Sequence, residues 1–499
     1  MPCCLAEKYK WCKDLPVVAH KDEEGKEYCI FHAPHDKKGV SDEEFNKLIF
    51  ERIHYTKSKN DFCSLSGTIF KDNIIFSQVG VLTSLPPIDF SWCEFNGETG
   101  FSNVLFGREA YFSHAKFCKG ADFKKALFNG NANFEEAALI ERANFSDAEF
   151  KEVVTFSNVK FRGYATFNKA KFSKGVSFVN AKFIDAANFW DTKFSREVEF
   201  SYAEFNKVAD FTRTEFKKEA SFSFATFNDI AYFYKAIFQR ASFYAAIFNE
   251  RTYFYGETFI EGGNFRSLAI KETIRFESAN LKKISFLDTN LRKMDFINCG
   301  WHKRFGRDVL YDELSLYTDD KKAKNSFQPK EKTKKIEILY RQLKQKYKEE
   351  HNEPEVSNWH YGEKEMFRKG SRRIRFNPAS LSNLYWLSSG YGERPVRAGN
   401  VLLLLILTLS VLFGSAGLEP NPSLNGNPAY EINKIKSLSD MLSHLWGIIL
   451  NTLQYATFEK VPDYVPKTIY GATLKFVVKI LIPLQAALFA LAIRNRFRR

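Results

Sequence analysis

Residues 143–156 read ANFSDAEFKEVVTF, and residues 165–178 read ATFNKAKFSKGVSF. In both stretches phenylalanine recurs in steps of five and six residues, usually with a small residue two positions before the ring. The same register runs from Phe90 to Phe238 in a chain that carries 51 phenylalanines among 499 residues. Such an excess of one aromatic residue indicates a repeated structural demand rather than general hydrophobicity.

The eleven-residue period predicts stacked short strands. A right-handed helical supercoil has the same period, but here the small residue and the ring fall on one side of an extended chain and polar residues on the other. Four such sides close one coil of about 22 residues, and stacked coils complete a core of phenylalanines. The predicted fold is a parallel β-solenoid, a right-handed quadrilateral β-helix, with about nine coils from Phe90 to Phe296.

The A-x-F-x-x-A-x-F texture spans about 200 residues and resembles the Phe-rich, eleven-residue variant of the pentapeptide-repeat family. After Phe238 the spacing shortens and ends in five-residue steps from Phe276 to Phe296, so the last coils are expected to be regular squares. Some relatives mimic duplex DNA, which requires a strongly acidic rod. Because acidic and basic residues are nearly balanced here, we expect neither DNA mimicry nor a nucleic-acid partner.

The charge distribution indicates association with a membrane rather than binding to nucleic acid. The formal net charge is +14, and many basic residues flank apolar segments, between Lys332 and Arg397 and from Arg494 to Arg499. Basic residues at such places are typical of cytoplasmic membrane ends. The N-terminus lacks the apolar core of a signal peptide. The region before the apolar segments is therefore expected to stay in the cytoplasm, where cysteines are reduced or bind metal.

Residues 1–40 carry a cluster of soft metal ligands. Cys4, Cys12, Cys29 and His32 are the predicted zinc ligands, with Cys3 as the alternative to Cys4. Cys29 and His32 have the C-x-x-H spacing that a tight turn can close around one ion. The alternative interpretation is a set of reduced cysteines without metal.

The charged segment 301–397 is predicted to be a helical cytoplasmic linker. Part of it carries one apolar stripe at helical spacing. The stripe consists of Ile336, Leu339, Tyr340, Leu343 and Tyr347. It could pack on the segment that follows, on another subunit, or on an anionic membrane surface.

Residues 400–418 and 469–493 are predicted to be transmembrane helices. The first has no charged residue and would be roughly 28 Å long. Arg394 and Arg397 precede the first span and an arginine-rich terminus follows the second, which predicts that both ends of the hairpin are cytoplasmic. The expected location is a bacterial plasma membrane, with two passes, contact with lipids and both termini inside.

Between the spans, an apolar helix over residues 438–458 is too short to cross and is predicted to be re-entrant, which implies oligomerisation around a pore. Three segments resemble the two-helix ion-channel domain that is fused to pentapeptide repeats in bacterial membrane proteins. They are YGEKEMFRKGSRR (361–373), LSSGYGERPVRAG (387–399) and IPLQAALFALAIRNRFRR (482–499). The potassium filter T-V-G-Y-G is absent, and NTLQYATFEKVPDY (451–464) stands in its place. The resemblance therefore implies a channel but not potassium selectivity.

Polar residues in this region are the candidate pore or selectivity residues. They are Gln454, Thr457, Glu459, Asp463, Lys475 and Lys479. Glu459 and Asp463 lie near the negative C-terminal end of the short helix, and carboxylates at a pore mouth favour cations. The alternative interpretation is that these two residues belong to a solvated surface turn. The two lysines would favour anions, although Lys475 could instead reach an interface. Pro483 is either a gating kink or a packed kink.

The predicted domains are a Cys/His module (1–40), a solenoid cap (41–89), the solenoid (90–300), the linker (301–397) and the membrane domain (398–499). The leading hypothesis is a subunit of an oligomeric, cation-leaning ion channel, expected to be a tetramer, whose solenoid senses or recruits a cytoplasmic protein. The alternative is a non-conducting, membrane-tethered scaffold whose solenoid binds protein partners. The sequence has no nucleophile elbow, P-loop or paired-carboxylate site, so an enzyme is not expected.

Overall fold

The computed structural model describes residues 3–13, 15, 18–78, 84–256, 259–322, 329–371, 374, 377–421, 438–457 and 462–497. The chain forms two compact units, Met1–Lys322 and Ala323–Arg499. The first contains the solenoid, and the second contains the apolar helices.

The parallel β-solenoid predicted from the sequence is confirmed, with about 10 turns followed by helices. Short strands stack in four columns, as the quadrilateral form requires. The first column contains Cys63–Ser64, Ile88–Asp89, Ala110–Tyr111, Ala132–Asn133, Val154–Thr155, Val176–Ser177, Val198–Glu199, Gly263–Asn264 and Ile284–Ser285. The second contains Ile69–Phe70, Glu94–Phe95, Lys116–Phe117, Ala138–Leu139, Lys160–Phe161, Lys182–Phe183, Glu204–Phe205, Thr226–Phe227, Ile247–Phe248 and Ala269–Ile270.

The other two columns complete each turn. The third contains Ile74–Ile75, Thr99–Gly100, Ala121–Asp122, Ala143–Asn144, Ala165–Thr166, Ala187–Asn188, Ala209–Asp210, Ala231–Tyr234, Thr252–Tyr255, Ile274–Glu277 and Met294–Ile297. The fourth contains Leu105–Phe106, Leu127–Phe128, Glu149–Phe150, Lys171–Phe172 and Lys193–Phe194. Two longer strands, Glu215–Ser221 and Ile237–Ser242, turn a corner and pair in both the fourth and the first columns.

The register of the ladder follows the spacing of the rings. Ala110 pairs with Ala132, so one turn contains 22 residues. Near the C-terminal end Ile274 pairs with Met294, a turn of 20 residues. The last turn is therefore the regular square that five-residue steps predict. The ladder begins at Cys63–Ser64, before Phe90, and its first turn is longer because Cys63 pairs with Ile88.

The phenylalanine side chains fill the interior. Phe145 stacks on the rings one turn away, Phe123 at 4.8 Å and Phe167 at 4.9 Å between centroids. It meets Phe134 and Phe156 nearly edge-on, at 5.5 and 5.3 Å. Parallel-stacked and edge-to-face contacts are both favourable ring geometries. The rings are the core, as the pairing with small residues predicts.

Alternate corners share one turn structure. Asp147 has φ of 56°, and the N–H of Ala148 donates to Phe145 O at 3.2 Å. A positive φ at the third residue of such a turn is typical of type II geometry. The side chain of Asn144 accepts from the Ser146 N–H at 3.1 Å and supports the bend. In the A-N-F pattern, the alanine therefore occupies a core position, the asparagine supports the turn and the phenylalanine supplies the core ring.

Both ends of the solenoid are covered. Helix α1, Asp42–Ser58, starts with a capping box between Ser41 and Glu44 and covers the N-terminal end. The turn that follows the hairpin Val18–Lys21 and Glu27–Cys29 also contacts this end, through the bond from the Ile69 N–H to Phe31 O. At the other end lie the hairpin His302–Arg304 and Arg307–Val309 and helix α2, Tyr311–Lys322. Short 3-10 helices occur at Lys10–Cys12, His35–Lys37, Phe76–Gln78 and Leu291–Lys293. Covered edges cannot template pairing with another chain.

The second unit begins with a helical hairpin, α3 (Pro329–Glu349) and α4 (Glu353–Gly370). All five residues of the predicted stripe are buried. Tyr340 lies against Gly362 and 6.0 Å from Trp359 between ring centroids. The stripe therefore packs on the segment that follows it in the chain.

The remaining helices are α5 (Leu381–Ser389), α6 (Pro395–Ser415), α7 (Leu438–Ala456) and α8 (Ile469–Phe497), with the strand pair Leu418–Pro420 and Tyr464–Pro466. Among the described residues, α6 and α8 are the helices long and apolar enough to cross a membrane, with mean hydropathy of 2.1 and 2.3. Helix α6 begins before the predicted 400–418 span because Pro395 suits the first helical turn.

Candidate functional site

Three cysteines and one histidine converge beside the first turn of the solenoid. Cys3, Cys12, Cys29 and His32 are all buried, and their ligand atoms lie within 4.8 Å of one another. Cys4 is exposed and stays outside the cluster. The choice of Cys4 is thus corrected to Cys3. The backbone N–H of Cys4 donates to Glu27 O at 2.7 Å and that of Ala6 donates to Cys3 O at 2.8 Å, so the chain turns here with Cys3 buried and Cys4 exposed.

The local backbone brings the ligands together. Cys29 ends a strand, and the N–H groups of His32 and Ala33 donate to its carbonyl at 3.0 and 2.9 Å. This tight turn places His32 Nδ1 at 3.2 Å from Cys29 Sγ. Cys3 Sγ lies 3.6 Å from the same nitrogen. Cys12 ends the 3-10 helix Lys10–Cys12.

The other nitrogen of His32 orients the ring. Nε2 lies 3.2 Å from the backbone oxygen of Ser66, so it is the nitrogen that donates while Nδ1 faces the sulfurs. Such a hydrogen bond is typical of metal-binding histidines. Burial lowers the pKa of His32 to about 4, which keeps the imidazole neutral. A neutral imidazole is the form that binds a metal ion.

Burial favours the neutral, protonated form of the thiols in the cluster. Burial raises the pKa of the Cys12 thiol to about 12 and that of Cys29 to about 11. A metal ion must displace these protons, because the thiolate is the ligand. The ammonium of Lys38 donates to the carbonyls of Ile30, Phe31 and Ala33 at 2.5, 3.1 and 3.0 Å. Three thiolates and one imidazole could hold one ion in a site closed to solvent.

The predicted pore region has a second set of contacts. Helices α6 and α8 pack directly on each other, and helix α7 packs against both of them through an apolar cluster. Its Ile448 lies against Gly414, and its Tyr455 ring lies 5.3 Å from that of Phe413. Both contacts are at the last turn of α6. Lys475, near the start of α8, has its Nζ 5.5 Å from the Tyr455 ring centre.

Two of the predicted pore residues contact each other. Gln454 Nε2 donates to Asp463 Oδ2 at 3.0 Å, and the Asp463 N–H donates to Gln454 Oε1 at 3.2 Å. Thr457 is exposed, with its hydroxyl 3.2 Å from Leu453 O. Glu459 lies outside the described residues. The pair Gln454 and Asp463 joins the end of α7 to the returning chain.

Lys475 and Lys479 are both half-buried on α8. Pro483 lies inside the same helix. Because proline has no N–H, the Lys479 carbonyl loses its usual helical partner at this position. One backbone carbonyl in the middle of α8 is therefore open to another donor.

Sequence reasoning missed two amides. Asn451 is buried, and its Oδ1 accepts from the Tyr464 N–H at 3.1 Å. Gln485 is buried, and its Nε2 donates to Ser388 O and Ala398 O, both at 2.9 Å. An amide inside an apolar helical segment was the available signal for both. Gln485 joins α8 to the start of α6.

The fold and these contacts define a β-solenoid protein with a buried cluster of three cysteines and one histidine that could hold a metal ion, and with two helices of membrane-spanning length. The family model described as pentapeptide repeats in nine copies matches residues 118–160, 156–204 and 211–258. The solenoid is therefore a pentapeptide-repeat array. No curated protein and no solved structure matches the chain.

Proposed function

We propose that the chain is a subunit of an oligomeric, cation-conducting channel in a bacterial plasma membrane, with the solenoid as its cytoplasmic rod. The observation that carries the proposal is the position of α7. Its C-terminal half lies against Gly414 of α6 and Lys475 of α8, at the ends of both apolar helices. The chain then returns to pair Tyr464–Pro466 with Leu418–Pro420. A short helix and returning loop held between two spanning helices is the arrangement of a pore domain.

The other face of α7 supports an oligomer. Leu442, Trp446 and Leu450 lie four residues apart on one face and are exposed in the single chain. A large apolar surface of this kind is normally covered by lipid or by another subunit. Four subunits around an axis would cover this face and place the loops after α7 at the centre.

The charges near the loop support cation conduction. The C-terminal end of α7 carries the negative end of the helix dipole, and Asp463 is exposed beside it. Lys475 and Lys479 oppose this field. The stacking of Lys475 over Tyr455 supports a side chain that faces protein at the edge of the pore. Lys479, deeper in α8, is then the residue that limits cation entry.

Single-channel recording in planar bilayers tests the proposal. The full chain should conduct cations, Glu459→Gln should lower the conductance, and Lys479→Ala should raise it. Lys116→Ala, on the outer face of the solenoid, is the control and should leave conductance unchanged. Absence of conductance at any voltage, or a stable monomer in detergent, would exclude the channel.

A membrane-tethered scaffold is the second candidate, and exposed aromatic pairs on the solenoid favour it. Tyr232 stacks on Tyr253 at 5.6 Å, and Tyr234 stacks on Tyr255 at 4.6 Å, on the outer face of the third column. Clustered tyrosines are typical of protein interfaces. In this case Tyr234→Ala would abolish partner binding, whereas the helices could be replaced by any membrane anchor without loss of function.

We further propose that the N-terminal cluster binds a structural Zn²⁺ ion. Three sulfurs and one nitrogen suit zinc, and four protein ligands leave no open position for catalysis. Elemental analysis of the purified chain should find one zinc per subunit. Cys29→Ser should lose it, and Cys118→Ser should keep it. Zinc-free protein with intact Cys29 would contradict the proposal.

A further inference from the structure

The turn that carries two of the metal ligands also forms the edge of the solenoid. Phe31 lies between Cys29 and His32, and its carbonyl accepts from the N–H of Ile69 at 2.9 Å. Ile69 belongs to the first strand of the second column. The metal-binding turn thus takes the place of the strand that a preceding coil would have supplied.

Three side chains extend this contact along the first turn. His32 Nε2 and Trp11 Nε1 both lie near the Ser66 carbonyl, at 3.2 and 3.0 Å. The ring of Tyr9 lies so close to Gly67 that a Cβ there would come within 2.3 Å of it. Ser66 and Gly67 are therefore covered by side chains that adjoin the cluster or belong to it.

Apart from the cluster, the described residues of the module are held by side-chain packing on helix α1, as where the Phe31 ring lies 6.1 Å from that of Phe45 between centroids. The regular structure of the module is the hairpin Val18–Lys21 and Glu27–Cys29 and two 3-10 turns. A segment this small rarely folds on its own core and normally needs a metal or disulfide. All eight cysteines of the chain are free thiols. A bound metal ion would therefore be the covalent-strength link that joins Cys3, Cys12, Cys29 and His32 across the module.

We propose that the metal ion at Cys3, Cys12, Cys29 and His32 controls whether the N-terminal edge of the solenoid is covered. With the ion bound, the turn at Phe31 pairs with Ile69 and closes the edge. When the ion is lost, the module leaves residues 66–69 and exposes the parallel strand edge at Ile69, which Phe31 had paired. Such an edge can pair with a second copy of the chain. The inference rests on the proposed metal site and adds that the metal ion keeps the N-terminal edge of the solenoid covered.

Hydrogen exchange of the full chain in detergent, with zinc and after chelation, tests this coupling. Removal of the ion should speed exchange in residues 63–70 by about tenfold or more and leave residues 187–210 unchanged. Metal content is measured in the same samples. Stoichiometric zinc whose removal leaves 63–70 protected would overturn the coupling alone, whereas absence of zinc in the purified chain would overturn the metal site and the coupling with it.

Two glycines provide a matched pair of variants that leave every ligand in place. Gly67 and Gly39 both have positive φ, 76° and 72°, but only Gly67 has a neighbour within 4 Å, the Tyr9 ring. Gly67→Ala should keep its zinc and speed exchange at Ile69, because the module is pushed off the edge. Gly39→Ala carries the same backbone strain and should exchange like the wild type. Equal exchange in the two variants would contradict the proposal.

Discussion

Each ring of the array has the same surroundings as the ring one turn away. Phe145 touches Phe123 and Phe167 face to face and Phe134 and Phe156 edge-on. Its side chain is fully buried. Strand pairs above and below hold the backbone at a fixed spacing, so neighbouring side chains cannot close a gap. A missing ring therefore leaves a cavity of nearly its own size.

Phe145→Ala should lower the free energy of unfolding of the solenoid by about 3 to 5 kcal/mol. Phe305→Ala is the control, because that ring is 84% exposed. It should change stability by less than about 0.5 kcal/mol. Chemical denaturation followed by circular dichroism measures both. Similar small effects for the two variants would mean that the rings are not close-packed.

His360 on α4 predicts that the stability of the α3–α4 hairpin depends on pH. Burial, reinforced by the charges of Lys344 and Lys364 and opposed by Glu363, lowers the pKa of His360 to about 4. The unfolded chain has a His pKa near 6.5 and binds the proton more tightly. The hairpin of α3 and α4 should therefore lose stability as the pH falls from about 6.5 to 4, with no further loss from this group below that.

His360→Gln should remove this slope, while His351→Asn, at an exposed site, should keep it. The expected loss in the wild type is about 2 to 3 kcal/mol across the window. Urea unfolding in detergent at several pH values measures it. A wild-type hairpin whose stability is flat between pH 6.5 and 4 would show that His360 titrates normally.

At the scale of elements, the α3–α4 hairpin depends on one close approach. Gly362 faces the Tyr340 ring, and a Cβ at this position would lie 2.5 Å from the ring. Glu363, next in the chain, accepts from Arg341 at 2.9 Å and from Lys344. The close approach at Gly362 and the ion pairs of Glu363 therefore depend on the same distance between α3 and α4. A wider spacing would separate Glu363 from Arg341 and Lys344.

Gly362→Ala should push the two helices apart and lower the stability of the hairpin by about 1 to 3 kcal/mol. Gly370→Ala is a matched control, because a Cβ there would meet Thr333 at an ordinary 3.5 Å. Hydrogen exchange of residues 336–347 compares the two variants. Faster exchange in Gly370→Ala than in Gly362→Ala would rule out the close-approach explanation.

At the scale of the whole molecule, the surface of the solenoid is charged, whereas the surface of helices α6 and α8 is apolar. The solenoid carries ion pairs between successive turns, such as Glu94 with Lys116 and Glu149 with Lys171, both at 2.7 Å. Exposed pairs of this kind contribute little to stability but keep a surface soluble. Helices α6 and α8 instead expose leucines, among them Leu404 and Leu484.

The full chain should stay in the membrane pellet after extraction with alkaline carbonate. Arginine at both Leu404 and Leu484 should remove it from the pellet, because each charge near the middle of a span costs about 2.5 to 3.5 kcal/mol. Ile260→Arg, on the exposed surface of the solenoid, is the control and should stay with the membrane. Wild-type chain in the soluble fraction would contradict a membrane location.

The sequence by itself determined the solenoid, its turn length and the two apolar helices. In the array every neighbour of a ring repeats at a constant interval, so a local pattern is enough to predict a long-range contact. The apolar helices follow from length and composition alone. The phenylalanine register starts at Phe90. The structure adds one turn before it, from Cys63 to Ile88, which contains 25 residues and has no regular phenylalanine spacing.

Only the tertiary structure decided between Cys3 and Cys4. It also revealed the hydrogen bonds that Ser66, Asn451 and Gln485 make. Neighbouring cysteines have the same chemistry, and which one faces inward depends on the pairing of Cys4 with the distant Glu27. The hydrogen bonds of His32 with Ser66 and of Gln485 with Ser388 join residues far apart in the chain. No repeat relates these partners, so the contacts exist only once the chain has folded.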